Sequence, residues 1–287
     1  MSNSQDNKCQ TVSWAVGDAP LELGPCIAAI GNFDGVHRGH GKVIEAAIDA
    51  ARKAGVAAAA VTFDGNLRCP DAAGFVTDIL PAIGVTGLFA GSDFAFGRGR
   101  GGDIDTINAM GADIGITATA VPLLSDENSA VISSSRIRAA LQAGEVGQAA
   151  TMLGHDWAVT GIVQLGDQRG RTIGFPTANI PLGALLHPAF GVYAVQIFDA
   201  DPQAGFALLG NGVANIGIRP TVEDRGVLCE AHLFDQQPDL YGRRLAICLK
   251  SFLRAERKFT GIDELTSQIA KDARAAREIL PLILQTA

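Results

Sequence analysis

Two histidines stand three residues apart in the glycine-rich segment 31–40, which reads GNFDGVHRGH. If a helix begins here, the two imidazoles and the backbone N–H groups of its first turn can hold the phosphates of a nucleotide, and the helix dipole favours their negative charge. Gly39 lets a ligand approach the backbone closely. His37 and His40 are therefore candidate catalytic residues. The alternative is a pair of exposed loop histidines without a chemical role.

A second candidate anion site is the segment 133–138, which reads SSSRIR. Serine hydroxyls and backbone N–H groups at a helix start bind anions, and arginines in the first turn add positive charge. The alternative is a helix over 136–142 with a serine N-cap and charged surface side chains.

Between these segments, residues 91–102 read GSDFAFGRGRGG and contain the spacing G-x-G-x-x-G from Gly97. A dinucleotide fingerprint needs a strand immediately before this spacing and a helix that opens within it, and the sequence predicts neither. We therefore expect a flexible basic loop.

The segment 166–179 combines glycines, arginines and oxygen-bearing side chains in the order GDQRGRTIGFPTAN. Such a loop can fold over phosphates with its backbone N–H groups, and Pro176 stiffens the turn. Thr177 and Asn179 present oxygens from alternate positions of an extended segment. These suit Mg²⁺, because this ion takes hard oxygen ligands and substrate phosphates. A long hairpin loop with an Asx or ST turn is the alternative.

An acidic residue, Glu230, interrupts an apolar stretch that contains Leu228, Cys229 and Leu233. Carboxylates are rarely placed in buried strands without a partner or a function, so Glu230 is a candidate general base. The alternative is a position on the surface of the sheet.

The elements that must position these residues differ between the two halves of the chain. In the first half, apolar runs at 26–30 and 56–63 flank a segment with helical periodicity. Its apolar residues fall on one stripe: Val43, Ile44, Ala47, Ile48 and Ala51. This is a βαβ unit, which implies a parallel sheet with its ligand at the carboxyl ends of the strands, in the loop 31–40.

After Trp157, short β-branched and aromatic stretches at 159–165, 192–198 and 245–252 alternate with turn residues. They predict an antiparallel sheet closed into a small barrel. From Thr260 onward a helical spacing predicts one closing helix, with its apolar side made of Ile262, Leu265, Ile269 and Ile279. The predicted fold class is α/β plus all-β, with domains at 1–154 and 155–287.

Composition excludes several classes of protein. Hydrophobic residues form 47% of the 287, which rules out a disordered chain, and a net charge of −7 disfavours a nucleic-acid binder. The five cysteines include no C-x-x-C pair, so neither a disulfide framework nor a zinc site is expected. No apolar run reaches the ~20 residues that span a bilayer. We expect a cytoplasmic protein without a membrane partner.

Taken in order, these motifs resemble the bacterial bifunctional riboflavin kinase/FAD synthetase family. Six segments match in the second half and three in the first: 161–179, 191–195, 213–221, 230–233, 239–242 and 253–259, and 31–40, 91–103 and 133–138. The resemblance implies a Rossmann-like nucleotidyltransferase domain with a parallel sheet, followed by an antiparallel β-barrel closed by a carboxy-terminal helix. It also implies two activities. One phosphorylates riboflavin with ATP and Mg²⁺ to FMN, and the other adenylylates FMN with a second ATP to FAD.

For the kinase domain, the resemblance implies that Glu230 takes the proton of the ribityl hydroxyl and that Thr177 and Asn179 hold Mg²⁺ and phosphate. The implied ATP-binding residues are Gly166, Arg171, Gly174, Pro176, Thr177 and Asn179. The flavin is implied to lie against Arg254, Glu256 and Phe259.

For the first domain, the resemblance implies that His37 and His40 act on the phosphates of ATP. The implied ATP-binding residues are Gly31, Asn32, Phe33, Asp34, Gly39, Ser133, Ser134, Ser135 and Arg138. The expected partners are the small molecules riboflavin, FMN and ATP, without nucleic acid, and the oligomeric state stays open.

The first domain also departs from the family. The family continues Glu-Pro-His-Pro where this chain has 64–67, Asp-Gly-Asn-Leu, and the interval 75–91 is shorter than in the family. Two alternatives follow. The chain is a riboflavin kinase alone with a non-catalytic scaffold in front, or it is a non-enzymatic flavin-binding protein. The second alternative is disfavoured, because such a protein is expected to lose Glu230 or the Thr177 and Asn179 pair, and this chain has all three residues.

Overall fold

The computed structural model describes residues 10–11, 24–62, 71–166, 174–203, 205–218 and 226–282. The chain divides into two compact units, Met1–Ser134 and Ser135–Ala287. Helices α5 (Ser134–Gln142) and α6 (Val146–Leu153) pack almost wholly with the second unit. The division predicted at residues 154 and 155 lies after these two helices and stays a prediction of where the folded domains separate.

The first unit contains a parallel sheet in the order β1-β3-β2-β4-β5. Its strands are β1 (Gln10–Thr11), β2 (Cys26–Gly31), β3 (Ala57–Thr62), β4 (Val85–Gly91) and β5 (Thr117–Val121). The predicted βαβ unit is β2, helix α1 (Arg38–Ala54) and β3. Its predicted stripe is confirmed, because Val43, Ala47 and Ala51 are buried.

A helical segment follows the second strand of this unit. It consists of α2 (Ala72–Gly74), a π-helical turn Phe75–Ile79 and α3 (Leu80–Ala82). Phe75, Val76 and Leu80 are fully buried in the core beneath β2 and β4. The interval 75–91 therefore keeps both a packed helical segment and a central strand.

As predicted, the loop 92–103 does not have the geometry of a dinucleotide fingerprint, since β4 ends six residues before Gly97 and helix α4 (Ile104–Gly111) begins after Gly102. The strand β4 ends at Gly91, and α4 begins directly after the loop, capped by Asp103. Within the loop, Arg98–Arg100 forms a 3₁₀ turn, and a second 3₁₀ turn, Ala112–Ile114, follows α4. Reciprocal backbone hydrogen bonds of 2.9 and 3.0 Å between Phe96 and Gly102 tie the loop at its base.

The second unit contains an antiparallel sheet in the order β6-β11-β8-β9-β10-β7. Its strands are β6 (Ala158–Ile162), β7 (Ala178–Pro181), β8 (Gly191–Asp201), β9 (Gly205–Ile218), β10 (Val227–Leu233) and β11 (Arg244–Ala255). A bridge from Gln164, whose N–H donates to Asn179 O at 2.8 Å, joins the two edges. The predicted small barrel and the predicted α/β plus all-β fold class are confirmed.

Helix α7 (Ile262–Ile279) packs on the outside of this barrel through Ala276 against Val192 and Val213. The predicted closing helix is confirmed, although two of the residues at helical spacing, Ile262 and Ile279, are 64% and 52% exposed. They occupy the first and last positions of the helix. Among the described residues, no helix combines the length and apolar character needed to cross a bilayer.

Gly212 on β9 is required by a close approach of two strands. A Cβ atom there would lie 2.2 Å from the carbonyl oxygen of His232 on β10 and 3.1 Å from Ile197 Cδ1. A carbonyl in a paired strand cannot turn aside like a side chain, so we expect Gly212→Ala to destabilise the barrel by about 1–3 kcal/mol. Urea unfolding followed by tryptophan fluorescence measures this change.

The matched control is Gly147→Ala on the exposed side of α6, where nothing lies within 4 Å of the new methyl group. Alanine favours the helix by about 0.5–1 kcal/mol over glycine, so this variant should be slightly more stable. Equal unfolding midpoints for Gly212→Ala and the parent chain would contradict the first expectation.

Candidate active sites

The barrel site is organised by a row of residues that face one another across adjacent strands. Glu230 on β10 pairs with Asn179 on β7 and with Asn215 on β9. Asn215 pairs in turn with Val192 on β8, which pairs with Arg254 on β11. Directly opposed residues of antiparallel strands point to the same face, so the row lies on one side of the sheet. That side is the outer one, under α7.

A pocket of about 310 Å³ opens between this face and α7. It is lined by Phe175, Thr177, Val192, Val213, Ala214, Asn215, Glu230, His232, Arg254, Glu256, Arg257, Phe259, Leu265, Ile269 and Asp272. Sites for small molecules are concave, mostly apolar and of this size, with a few convergent polar groups. Five of the predicted site residues, Thr177, Glu230, Arg254, Glu256 and Phe259, therefore share one pocket.

Asn179 lies beside this pocket and is 6% exposed. Its Nδ2 donates to Thr177 O at 3.4 Å. Its Oδ1 is, among the residues that the structure describes, the one buried side-chain N or O atom without a hydrogen-bond partner. A buried acceptor without a partner costs free energy, so this oxygen is expected to have one when the protein acts.

The other predicted residues of this segment are placed unevenly. A Cβ on Gly166 would lie 2.5 Å from Asn179 Nδ2, so a larger residue there would displace the Asn179 amide. Gly174 is exposed with a φ of +83°, which favours glycine, and Pro176 is half-buried. Arg171 lies outside the described residues.

One wall of the pocket is held by a buried ion pair. Arg254 donates from Nε at 3.0 Å and from Nη2 at 2.7 Å to the carboxylate of Asp272, which is 6% exposed and also accepts from Gln268 at 2.8 Å. The Arg254 and Arg257 guanidinium carbons lie 5.8 and 4.7 Å from the centre of the Phe259 ring. The charge of Arg254 is thus compensated within the wall.

Glu256 lines the pocket where it meets β9. Asn215 Nδ2 donates to Glu256 Oε1 at 3.3 Å, and the carboxylate lies over Gly217, where a Cβ would come within 1.9 Å of it. Two carboxylates, Glu230 and Glu256, therefore flank Asn215.

Arg257 lies within the range 254–259 that was predicted to flank the flavin, whereas sequence reasoning missed three other polar residues of this pocket: Asn215, His232 and Asp272. Asn215 and His232 lie in motifs that carried the family resemblance, and His232 follows Glu230 by two residues on the same strand face. An acidic residue on the packed side of a helix was the signal for Asp272.

In the first unit, the predicted nucleotide-binding loop is the connection from β2 to α1. Gly31 is the last residue of β2, and His37 is the N-cap of α1. Asn32 and Asp34 are exposed, whereas Phe33 and Gly39 are half-buried. The loop therefore lies at the carboxyl end of a central parallel strand, as predicted.

His37 and His40 form a reciprocal cap. The backbone N–H of His40 donates to His37 Nδ1 at 3.3 Å, and that of His37 donates to His40 Nδ1 at 3.5 Å. The rings stack with their centroids 3.7 Å apart. Because both Nδ1 atoms accept, the proton of each neutral ring is on Nε2. The interpretation as two exposed histidines is wrong, since His37 is 6% exposed.

Burial keeps both rings uncharged near neutral pH. Burial, followed by the proximity of His40, lowers the pKa of His37 to about 4. Burial also lowers the pKa of His40, although a backbone hydrogen bond with Gly35 and the charge of Asp93 oppose this. The pair can therefore donate hydrogen bonds from Nε2–H to an anion without carrying charge.

The predicted residues at 133–138 lie at the start of α5. Ser133 precedes the helix, Ser134 and Ser135 are its first residues, and Arg138 is half-buried in its second turn. Ile137, Ala140 and Leu141 bury the opposite side of this helix. The described residues contain no group of three His, Cys, Asp or Glu side chains placed to hold a metal.

The pKa values of the histidine pair can be measured by NMR titration of the ring Hε1 signals. We expect His37 to titrate near 4, and its pKa to rise in His40→Ala while staying below 6.5, since burial is the larger cause. The folded unit should lose stability as pH falls from about 6.5 towards 4, because only the unfolded chain binds this proton there.

The matched variant is Asp93→Asn. It removes a charge that raises the pKa of His40, so that pKa should fall further, which is a shift opposite to the one at His37 in His40→Ala. A His37 that titrates near 6.5 in the parent chain would contradict the reciprocal cap.

Comparisons with known proteins agree with both units. Residues 153–280 match the riboflavin kinase family, and residues 20–69 and 61–136 match the FAD synthetase family. The FAD synthetase match consists of two pieces that overlap at 61–69, so the break in this match lies earlier in the chain than the interval 75–91. The residues 64–67, which stand where the family has Glu-Pro-His-Pro, lie outside the described residues.

Individual relatives cover nearly the whole chain. The chain is 35% identical over 308 aligned positions to the bifunctional riboflavin kinase/FMN adenylyltransferase of Escherichia coli, covering 93% of this chain and 96% of the relative. It is 34% identical to the enzyme of the same description from Bacillus subtilis, covering 89% and 92%. A solved structure described as a macrolide-efflux protein from Streptococcus pneumoniae superposes with a TM-score of 0.77 at 25% identity, covering 93% and 98%. The chain belongs to the family of bifunctional riboflavin kinases/FMN adenylyltransferases.

Proposed function

We propose that the barrel domain transfers the γ-phosphoryl group of ATP to riboflavin and that the first domain transfers AMP from a second ATP to the FMN so formed. The observation that carries the kinase assignment is the strand register that puts Glu230 directly opposite Asn179, with Glu230 and Thr177 lining one pocket. A base beside a pocket and a set of hard oxygens next to it are the two parts that phosphoryl transfer requires.

In the kinase reaction, Glu230 accepts the proton of the terminal ribityl hydroxyl. The hydroxyl oxygen then forms a bond to the γ-phosphorus, the bond to the β-phosphate oxygen breaks, and ADP leaves. Since phosphoryl transfer depends mainly on positioning and charge neutralisation, the protein has to align two substrates rather than form a covalent intermediate.

The residues present fit a magnesium ion. Asn179 Oδ1 is a buried amide oxygen without a partner, and Thr177 adds a hydroxyl two residues away. Mg²⁺ prefers such oxygens and takes the rest of its ligands from water and substrate phosphates. When bound, the ion neutralises charge on the phosphates of ATP, and Thr177 and Asn179 are the residues that would hold it.

The flavin is proposed to lie against Arg254, Glu256 and Phe259. Asp272 compensates the charge of Arg254, so this wall offers the face of Phe259 and the flat guanidinium surfaces rather than a free cation. An uncharged isoalloxazine ring system suits such a surface, because stacking on aromatic and guanidinium faces does not require opposite charge.

In the first domain, a phosphate oxygen of FMN attacks the α-phosphorus of ATP and pyrophosphate leaves. The Nε2–H groups of His37 and His40 would donate to the phosphates of ATP. The loop 31–39, the serines 133–135 and Arg138 are proposed to complete the ATP site. Neutral donors and backbone N–H groups at a helix start stabilise the charge on the leaving group.

The alternative of a non-catalytic first domain rests on one observation. The FAD synthetase match breaks at 61–69, at the carboxyl end of β3, which is the edge where a parallel sheet binds its ligands. The ATP side of the site keeps its histidines, so the altered part is the side that positions FMN.

The first test is Glu230→Gln, assayed with riboflavin, ATP and Mg²⁺ and with chromatographic separation of riboflavin, FMN and FAD. We expect FMN formation to fall about 10²–10⁴-fold, because the amide cannot accept the hydroxyl proton. The matched control is Glu278→Gln at an exposed position of α7, which should leave the rate unchanged. Near-parental turnover in Glu230→Gln would show that Glu230 is not the base.

The second test compares the two activities. The altered part of the first domain is proposed to be the side that positions FMN. Misplacement of FMN by about 1 Å can cost ~10²-fold in the rate of adenylyl transfer. We therefore expect FMN to form faster than FAD and to accumulate when riboflavin is supplied. His40→Ala should remove the remaining FAD synthesis and leave the kinase unchanged. Direct supply of FMN and ATP is the decisive measurement, since brisk FAD production would show that the acceptor side is intact.

A further inference from the structure

His232 belongs to a motif of the kinase domain, but the reaction as described gives it no task. It lies on β10 two residues after Glu230 and lines the same pocket. Its ring approaches two neighbours in the segment 175–177. Nδ1 lies 2.8 Å from the carbonyl oxygen of Pro176, and the ring meets Phe175 edge to face with centroids 5.3 Å apart.

The hydrogen bond defines which nitrogen of His232 carries a proton. A carbonyl oxygen only accepts, so Nδ1 must donate. This leaves Nε2 as the other polar atom of the ring. Nδ1 therefore binds the Pro176 carbonyl, and a role of Nε2 can be tested separately.

The bond from His232 to Pro176 lies just beyond the end of the backbone pairing between β7 and β10, so a side chain has to join the two segments there. The pairing of β7 with β10 ends at Ala178 and Ala231, so Thr177 stands opposite His232 and Pro176 stands one residue beyond. Pro176 has no N–H and cannot continue the backbone ladder. The His232 side chain takes over where the ladder stops and ties the segment to the strand that carries Glu230.

Two consecutive carbonyls of this segment are held from two sides. His232 Nδ1 holds the carbonyl of Pro176, and Asn179 Nδ2 holds the carbonyl of Thr177 at 3.4 Å. The second contact turns Asn179 so that Oδ1 is its free acceptor. The backbone conformation of Thr177 is thus fixed between one donor on β7 and one on β10.

We infer that His232 is a positioning residue of the kinase reaction: through its Nδ1–H bond to Pro176 it places Thr177 and Asn179 for Mg-ATP relative to Glu230. The inference rests on the proposed riboflavin kinase function. It assigns to His232 an effect on the nucleotide side of the reaction, although the ring itself lines the pocket proposed for the flavin. An experiment can therefore test whether loss of His232 affects the binding of Mg-ATP or the binding of riboflavin.

Three substitutions separate the possible roles. His232→Phe keeps the ring contact with Phe175 but removes both nitrogens. His232→Asn places an amide N–H close to the position of Nδ1 and can keep the bond to Pro176. His232→Gln places its amide near Nε2 and loses that bond. A role of Nδ1 predicts rescue by asparagine and not by glutamine.

The control variant is His155→Phe. His155 also places Nδ1 against a backbone carbonyl, at 2.9 Å from Asp156 O, but it is exposed and does not line the pocket. It therefore loses the same kind of bond in the same unit, at a place where the inference assigns no role.

The measurement is riboflavin phosphorylation at varied Mg-ATP, Mg²⁺ and riboflavin. We expect His232→Phe and His232→Gln to raise the KM for Mg-ATP about tenfold, since a neutral hydrogen bond and a carbonyl left without its donor are together worth about that factor. The KM for riboflavin should change less than about twofold, and His232→Asn and His155→Phe should stay near the parent. Thermal unfolding confirms that each variant is folded.

The outcomes against the inference differ from those against the proposed function. Rescue by glutamine instead of asparagine would assign the role to Nε2 and overturn the inference. A change confined to the riboflavin KM would make His232 a wall of the flavin pocket and also overturn it, as would an equal loss in His155→Phe. A parent chain that fails to phosphorylate riboflavin at saturating Mg-ATP would instead overturn the proposed function.

Discussion

The register between β7, β10 and β9 is the constraint on which the barrel site depends. It puts Asn179, Glu230 and Asn215 in one line on the outer face. A slip of one residue would turn Glu230 into the barrel and present Cys229 to the pocket, because successive side chains of a strand point to opposite faces. The cost of such a slip is set by the interior, where Cys229 is fully buried opposite Ile180 and Ile216. Apolar packing inside the barrel thus determines which polar groups face the substrate.

The outer face depends on α7, which closes the pocket and is held by three ion pairs. Asp272 pairs with Arg254, and Glu264 pairs with Arg257 at 2.6 Å. Arg277 pairs with Asp235, and its guanidinium lies 4.2 Å from the centre of the Phe234 ring. A buried pair such as that of Asp272 adds little net stability, because desolvation offsets most of the attraction. Its effect is on geometry, since a helix held at three points keeps the wall of the pocket at a fixed distance from Glu230.

Much of this fold is encoded locally and could be predicted. The helical stripe of α1 and the acidic residue inside β10 are patterns within one element, and both were identified from spacing alone. The partners of Glu230 could not be, because Asn179, Asn215 and Glu230 come from segments far apart in the chain and only the register aligns them. The exposure of Ile262 and Ile279 shows the same limit, since helical spacing does not reveal where the sheet beneath a helix ends. The two histidines are a subtler case: a spacing of three residues suits a phosphate site and a helix cap equally well, and the structure uses it for the cap.

The first turn of α1 is better suited to a ligand than to helix stability. It contains Gly39 and Gly41, and glycine costs a helix about 1 kcal/mol per residue relative to alanine. A Cβ on Gly39 would lie 3.1 Å from the His37 ring, whereas nothing lies within 4 Å of one on Gly41. The turn also lacks the acidic residue that commonly offsets the positive end of the helix dipole. With the histidine pair neutral, the N-terminus of α1 keeps its partial positive charge for an anion. The histidine cap therefore stabilises the backbone of this turn, which the two glycines destabilise. It does so without a carboxylate, which would compete with a phosphate.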